Sequence, residues 1–284
     1  MHTRIAVATD FSPRSDRALR RAIISAKQAG ATLSLMHVVE EDQPQYLIEA
    51  QMDAARSMLD DMATTIFQLD DVVTEVHMAA GDVYSGILLL AEQINPSVII
   101  LGPHRRQLRD AFTGTTVERT IAHSRFPVLM AAGVPSAPYE RVLIALDIDE
   151  SSKETAHGAR GMAILERTEI MAMHAFDTPA RGMMHRGMSE PDAVRHYLAT
   201  EKRWADQQLI ALLAELEMPS ARRILAPING TASRTILETA QEEDASLIVV
   251  GTSKKTGLKR FILGSVAEDV LGGTDRDVLV IPCR

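Results

Sequence analysis

Residues 245–270 read ASLIVVGTSKKTGLKRFILGSVAEDV, and their pattern decides the fold. Leu247, Ile248, Val249 and Val250 form a short, largely β-branched apolar run that stops at Gly251, as a buried parallel strand does. A loop carrying Lys254, Lys255, Gly257, Lys259 and Arg260 follows, and then Gly264 and Ser265. Beyond them Val266, Ala267, Val270 and Leu271 recur at helical spacing. The order is strand, basic glycine-bearing loop, helix start. Free backbone N–H groups at a helix N-terminus, beside glycines that admit close approach, make an anion site. An ordinary βα loop with a Gly-Ser helix cap needs the same residues, and this segment alone leaves both readings open.

Outward from this stretch, the chain contains the same unit twice. RIAVATD at 4–10 returns as RVLIALD at 141–147, and LSLMHVV at 33–39 returns as IMAMHAF at 170–176. VIILG at 98–102 matches LIVVG at 247–251, GTTVE at 114–118 matches GSVAE at 264–268, and PVLMAA at 127–132 matches DVLVIP at 277–282. Ordered matches of this kind mark a tandem duplication. The segment GVPSAP at 133–138 is its linker, dividing the chain into domains at 1–134 and 139–284.

Within the first copy, Ser12-Pro13 is a helix cap with Pro at the first helical position, and Gly30 is the stop. Ala18, Leu19, Ala22, Ile23 and Ala26 mark the apolar face between them. A second helix is expected over 48–69, strands over 72–78 and 126–131, and a helix after Gly81-Asp82. The later copy carries extra residues around 180–188, and Ser189-Glu190-Pro191 then caps a long helix through Val194, Leu198, Leu209, Leu212, Leu213 and Leu216. Alternating strands and helices imply open parallel sheets covered on both faces. Ligands of such folds bind at the carboxyl edge, where strand order reverses, so Asp10 should meet Gly102 and Asp147 should meet Gly251.

Composition bounds the function classes. A chain of 284 residues suits two domains, and 46% apolar with 24% charged residues is a globular balance. Aromatics are only 4%, so the core must be aliphatic. A net charge of −8 argues against nucleic acid as the main partner. The single Cys283 excludes an intramolecular disulfide and suits a reducing compartment. MHTRIAVATDFS lacks the apolar core of a signal peptide, and no apolar run is long enough for a bilayer. The expectation is a cytoplasmic protein without a membrane partner.

The strand-end Asp residues, the HV-type second strand and the final Gly-Ser helix resemble the universal stress protein family in its tandem two-domain form. The resemblance covers nearly the whole chain. It implies two Rossmann-like domains of the adenine nucleotide α-hydrolase type, each an open five-stranded parallel sheet with helices on both faces. Nucleotide-binding members have a loop of Gly, two residues, Gly, nine residues, Gly-Ser/Thr. Gly251, Gly264 and Ser265 match its ends, while Lys254 takes the middle glycine. In the first copy Gly102, Gly114 and Thr115 match, Arg105 replaces the middle glycine, and the loop is one residue shorter. A Lys or Arg there loses close backbone approach but supplies a cation for phosphate. By position, the resemblance puts Asp10 and Asp147 at the adenosine end and Val38 and Ala175 against adenine. Gly102, Gly114, Thr115 and Thr116, with Gly251, Gly264, Ser265 and Val266, would hold ribose and phosphates. The plain alternative is capping and turn geometry alone.

Other residues carry less. His37 and His174 occupy matching strand ends without metal-ligand spacing, and a structural role is expected. Met183, Met184, His185 and Met188 suit a loop insert better than a soft-metal site. Asn229-Gly230-Thr231 is expected to form a turn, and Arg105, Arg106 and Arg109 lean toward anions. No nucleophile elbow, Walker loop or dinucleotide fingerprint is present, so no catalytic residue is assigned. The expectation is a stress protein that binds ATP, with a divalent cation, and associates with an unidentified protein rather than turning substrate over. Its halves should form an intramolecular pseudo-dimer through their last strands, with a homodimer as a further level. A scaffold with degenerate pockets and a slow ATP-hydrolysing enzyme are the alternatives.

Overall fold

The computed structural model describes residues 3–103, 115–178, 191–252 and 263–283. In the first repeat β1 (Arg4–Ala8), β2 (Thr32–Val39), β3 (Thr74–Ala80), β4 (Val98–Leu101) and β5 (Val128–Met130) alternate with helices. These are α1 (Pro13–Ala29), α2 (Gln45–Asp70), α3 (Val83–Ile94) and α4 (Thr116–His123). The second repeat runs β6 (Arg141–Ala145), α5 (Glu150–Arg160), β7 (Glu169–Phe176), α6 (Pro191–Glu215) and β8 (Arg222–Pro227). It continues with α7 (Ala232–Glu242), β9 (Leu247–Gly251), α8 (Ser265–Gly273) and β10 (Asp277–Ile281).

Local chemistry explains the boundaries. Ser12 caps α1 by accepting from the Ser15 N–H, Pro13 opens the helix, and Gly30 closes it with a φ of 57°. Asp82 caps α3, Asp149 caps α5 and Thr231 caps α7, each accepting from the N–H three residues on. Asn229-Gly230-Thr231 is thus a turn and cap, as expected, with Gly230 at a φ of 86°. The third strand sits two residues later than its apolar run suggested, at Thr74–Ala80. Its side chains are mostly half-buried, because β3 is an edge strand and alternation decides little there.

The strand order is β3-β2-β1-β4-β5-β10-β9-β6-β7-β8, one ten-stranded sheet. Each repeat is parallel throughout. The repeats join through β5 and β10, which pair antiparallel with Leu129 opposite Leu279. Leu129 and Leu279 are matching positions of the two copies, so the pairing is self-complementary in the way of a two-fold interface. One apolar layer packs α1, α2, α5 and α6 on one face, and a second packs α3, α4, α7 and α8 on the other. Both layers cross from one repeat to the other. Every residue of β5 and β10 is buried, each large aliphatic side chain contributing about 1.5–3 kcal/mol.

Candidate functional site

Strand order reverses between β1 and β4 and between β6 and β9, opening a crevice at the carboxyl edge of each repeat. The first crevice is a cavity of about 780 Å³ lined by Asp10, Val38, Gly102, Thr115 and Thr116. The second, of about 1180 Å³, is lined by Asp147, Ala175, Gly251, Gly264, Ser265 and Val266. Residues picked from four separate stretches of sequence therefore meet twice. Arg105, Gly114 and Lys254 lie outside the described residues, as do Met183, Met184, His185 and Met188.

The strand-end aspartates are held by turns. Asp10 Oδ1 accepts from the Ser12 N–H at 3.0 Å. Burial opposes its charge, but hydrogen bonds from Ser12 and Ser15 outweigh that and hold its pKa below the usual aspartate value. Asp147 Oδ1 accepts from the Ile148 N–H at 2.8 Å, while its own N–H donates to Ser152 Oγ at 2.7 Å. Capping falls to the residue two places on, Ser12 or Asp149, so neither Asp10 nor Asp147 is itself a helix cap.

The histidines repeat with the same fidelity. His37 Nδ1 lies 2.8 Å from the Thr9 carbonyl, and His174 Nδ1 lies 3.0 Å from the Leu146 carbonyl. A carbonyl only accepts, so each ring carries its proton on Nδ1. Both rings tie the end of the second strand to the end of the first and line their cavities.

The glycines at the ends of the fourth strands answer to packing. A Cβ on Gly102 would lie 2.7 Å from the Arg14 carbonyl oxygen, in the first turn of α1. A Cβ on Gly251 would collide with Thr155 Oγ1 and lie 2.9 Å from Cys283 Sγ. Burial pushes the Cys283 thiol pKa up, so it is a packing residue beneath the site. Gly264 is different. It opens α8 with a φ of 82° and no side-chain cap, whereas the helix start in the first repeat is closed by a Thr115–Glu118 capping box. Among the described residues the first turn of α8 thus lacks the side-chain cap that closes α4.

Sequence patterns missed other lining residues. Arg14 brings a cation to the first cavity. Among the described residues the second cavity has none, but it has Asp147, Asp149, Asp177, Glu201 and Glu268. Trp204, the only tryptophan, also lines it from α6. A large aromatic on the polar side of an amphipathic helix was the available signal. Among the described residues no cluster of three metal-ligating side chains exists.

A doubly wound parallel sheet with a crevice at each reversal of strand order defines an α/β protein of Rossmann-like type, here in tandem. The chain belongs to the universal stress protein family, whose model matches residues 1–132 and again 138–282. It is 31% identical over 144 residues to a universal stress protein of Methanocaldococcus jannaschii, covering 50% of this chain and 82% of that one. A universal stress protein A homolog of Coxiella burnetii is 30% identical over 123 residues, covering 39% of this chain and 83% of its own. The whole tandem fold is shared with a universal stress protein structure from Archaeoglobus fulgidus, at a TM-score of 0.72 and 19% identity, covering 98% of each chain. No described helix is long and apolar enough to cross a membrane.

Proposed function

We propose that the chain acts in stress response by binding an adenine nucleotide, ATP, in one or both cavities, and by passing its occupancy to a protein partner. The observation that carries this reading is the convergence of Asp10, Val38, Gly102, Thr115 and Thr116 on one cavity and of Asp147, Ala175, Gly251, Gly264, Ser265 and Val266 on the other. In this reading Asp10 and Asp147 accept from the ribose hydroxyls, and Val38 and Ala175 flank the base. Phosphates face the helix starts at Thr115-Thr116 and Ser265-Val266, with Gly114 in the first repeat and Gly264 in the second, and Arg105 and Lys254 neutralise their charge. With no cage of metal ligands among the described residues, a divalent cation would arrive on the phosphates. The repeats work as an intramolecular pseudo-dimer in the cytoplasm, and turnover is not part of the role.

Protein purified without added nucleotide, denatured and filtered, should release adenine nucleotide close to stoichiometric amounts by mass spectrometry. An empty filtrate, together with no heat on ATP titration, would sink the nucleotide role. A second reading, a scaffold with degenerate pockets, draws on the packing that already accounts for Gly102 and Gly251. Lys254→Gly discriminates: it creates or improves ATP affinity in a scaffold, and leaves it unchanged or weaker in a binder.

A further inference from the structure

The two cavities differ where α2 and α6 line them. Of the four buried positions along α2, Ala55, Leu59 and Ile66 are matched at one constant offset by buried Ala205, Leu209 and Leu216 along and just past α6, and Ile48 by half-buried Leu198. In that register Gln51 matches Glu201, and both line their cavities. Ala54 matches Trp204, and only Trp204 lines a cavity. Trp204 is 56% exposed, so its ring is a large apolar surface left open beside the pocket. Two further wall positions shrink alongside it: Val38 and Val83 of the first cavity are matched by Ala175 and Ala232 in the second.

Around the indole the chemistry is acidic and amide. Glu201 and Gln208 flank it on the same stripe of α6, one turn either side, and Asp177 follows the end of β7. Phosphate would be repelled here, whereas exocyclic amino groups would find acceptors. An indole face stacks on any planar heteroaromatic ring.

We propose that Trp204 is the platform for the base in the second cavity, giving that cavity alone recognition of a planar heteroaromatic ring bearing an amino group. This rests on the nucleotide reading above and adds a residue that sets its specificity. The step from Ala54 to Trp204 makes the repeats unequal: the second cavity has an indole for the base, and the first has none.

The test uses the full chain, with ATP, inosine triphosphate and inorganic tripolyphosphate as probes. Trp204 is the sole tryptophan, so its emission reports this site directly. ATP should quench it. By calorimetry Trp204→Ala should weaken one ATP site roughly ten- to hundred-fold, with Trp204→Phe recovering most of the loss. Tripolyphosphate, having no base, should bind both variants like the wild type, and inosine triphosphate should bind the second site more weakly than ATP. If ATP binds while emission and the Trp204→Ala isotherm stay unchanged, the platform is overturned and the nucleotide reading stands. Trp204→Ala changing only the sedimentation of the protein would overturn it too, assigning the indole to a protein interface. Absence of ATP binding to the wild type would instead remove the nucleotide reading itself, and the platform with it.

Discussion

Arg21 Nε lies 2.8 Å from Asp277 Oδ2, and this ion pair is buried where the two repeats meet. Arg21 comes from α1 of the first repeat and Asp277 opens the last strand of the second. The pair is fully dressed. Tyr139 donates its hydroxyl to Asp277 Oδ2 at 2.6 Å, and the Gly133 N–H donates to Oδ1 at 2.8 Å. Arg21 also donates to the Ala137 carbonyl at 2.8 Å and lies over the Tyr139 ring at 4.1 Å. The linker is thereby fastened to both repeats. The cluster has no mirror image, since Gly158 and Pro127 stand at the matching positions of the other copies.

Breaking this pair from one side should be costly. Asp277→Ala leaves a guanidinium buried without its counter-charge, and a loss of about 3–5 kcal/mol is expected. The double variant Arg21→Met with Asp277→Leu should recover much of it. Urea unfolding followed by Trp204 emission, which reports the second repeat, and by far-ultraviolet circular dichroism, which reports both, should give one coincident transition. Two separated transitions in the wild type would contradict a sheet that unfolds as one unit.

Tyr139 supplies a pH signature. Burial and the nearby Asp277 carboxylate push its pKa well above the usual tyrosine value near 10, with Arg21 opposing them. Above pH 10 the unfolded chain then loses this proton while the folded one keeps it. Ionisation therefore favours unfolding, and stability present below pH 10 falls as pH rises. Tyr139→Phe should show a shallower decline between about pH 10 and 11 than the wild type, in parallel denaturation series. Equal slopes would place the Tyr139 hydroxyl in contact with water.

The duplicated features were legible because they are local and occur twice. Asp10 and Asp147, His37 and His174, and the Gly-Ser/Thr helix starts each stand at a strand end, and two copies make such a pattern hard to miss. The Arg21–Asp277 pair was not legible, because 256 residues separate two charges that elsewhere would be solvated. β8 escaped too: it opens on Arg222-Arg223, ends at Pro227, and lies half-exposed at the sheet edge, with no buried apolar run to announce it. Trp204 was hidden by the rule that found everything else. It breaks the repeat, and only the fold brings it into the lining of the same cavity as Ala175 and Ile228.

Gly251 separates packing from binding. Gly251→Ala places a methyl group against Thr155 Oγ1 and Cys283 Sγ, and should destabilise by about 1–3 kcal/mol whether or not nucleotide is present. Thr155→Ala in the same chain removes the tighter contact and should restore part of the loss. Thermal denaturation of the four combinations gives the coupling. Strict additivity would mean that β9 moves away from α5 to admit the methyl.

The last prediction concerns a swap already written into the two copies. In the first repeat a Cβ on Gly86 would lie 2.6 Å from Val38 Cγ1 and 2.8 Å from Cγ2, so a bulky β2 residue demands a bare position on α3. The second repeat has it the other way round, with Ala175 on β7 and Thr235 at the matching place on α7. Val38 is β-branched and has little rotamer freedom with which to retreat. Gly86→Thr alone should therefore cost about 1–3 kcal/mol despite replacing a helical glycine. Val38→Ala with Gly86→Thr should cost less than the sum of the single changes, by more than about 0.5 kcal/mol. The double variant also gives the first cavity the second repeat's smaller residue at the Val38 position, without adding an indole. If Trp204 and not width gives the second cavity its recognition of the base, ATP affinity at the first site should stay within about threefold of wild type, which calorimetry measures directly.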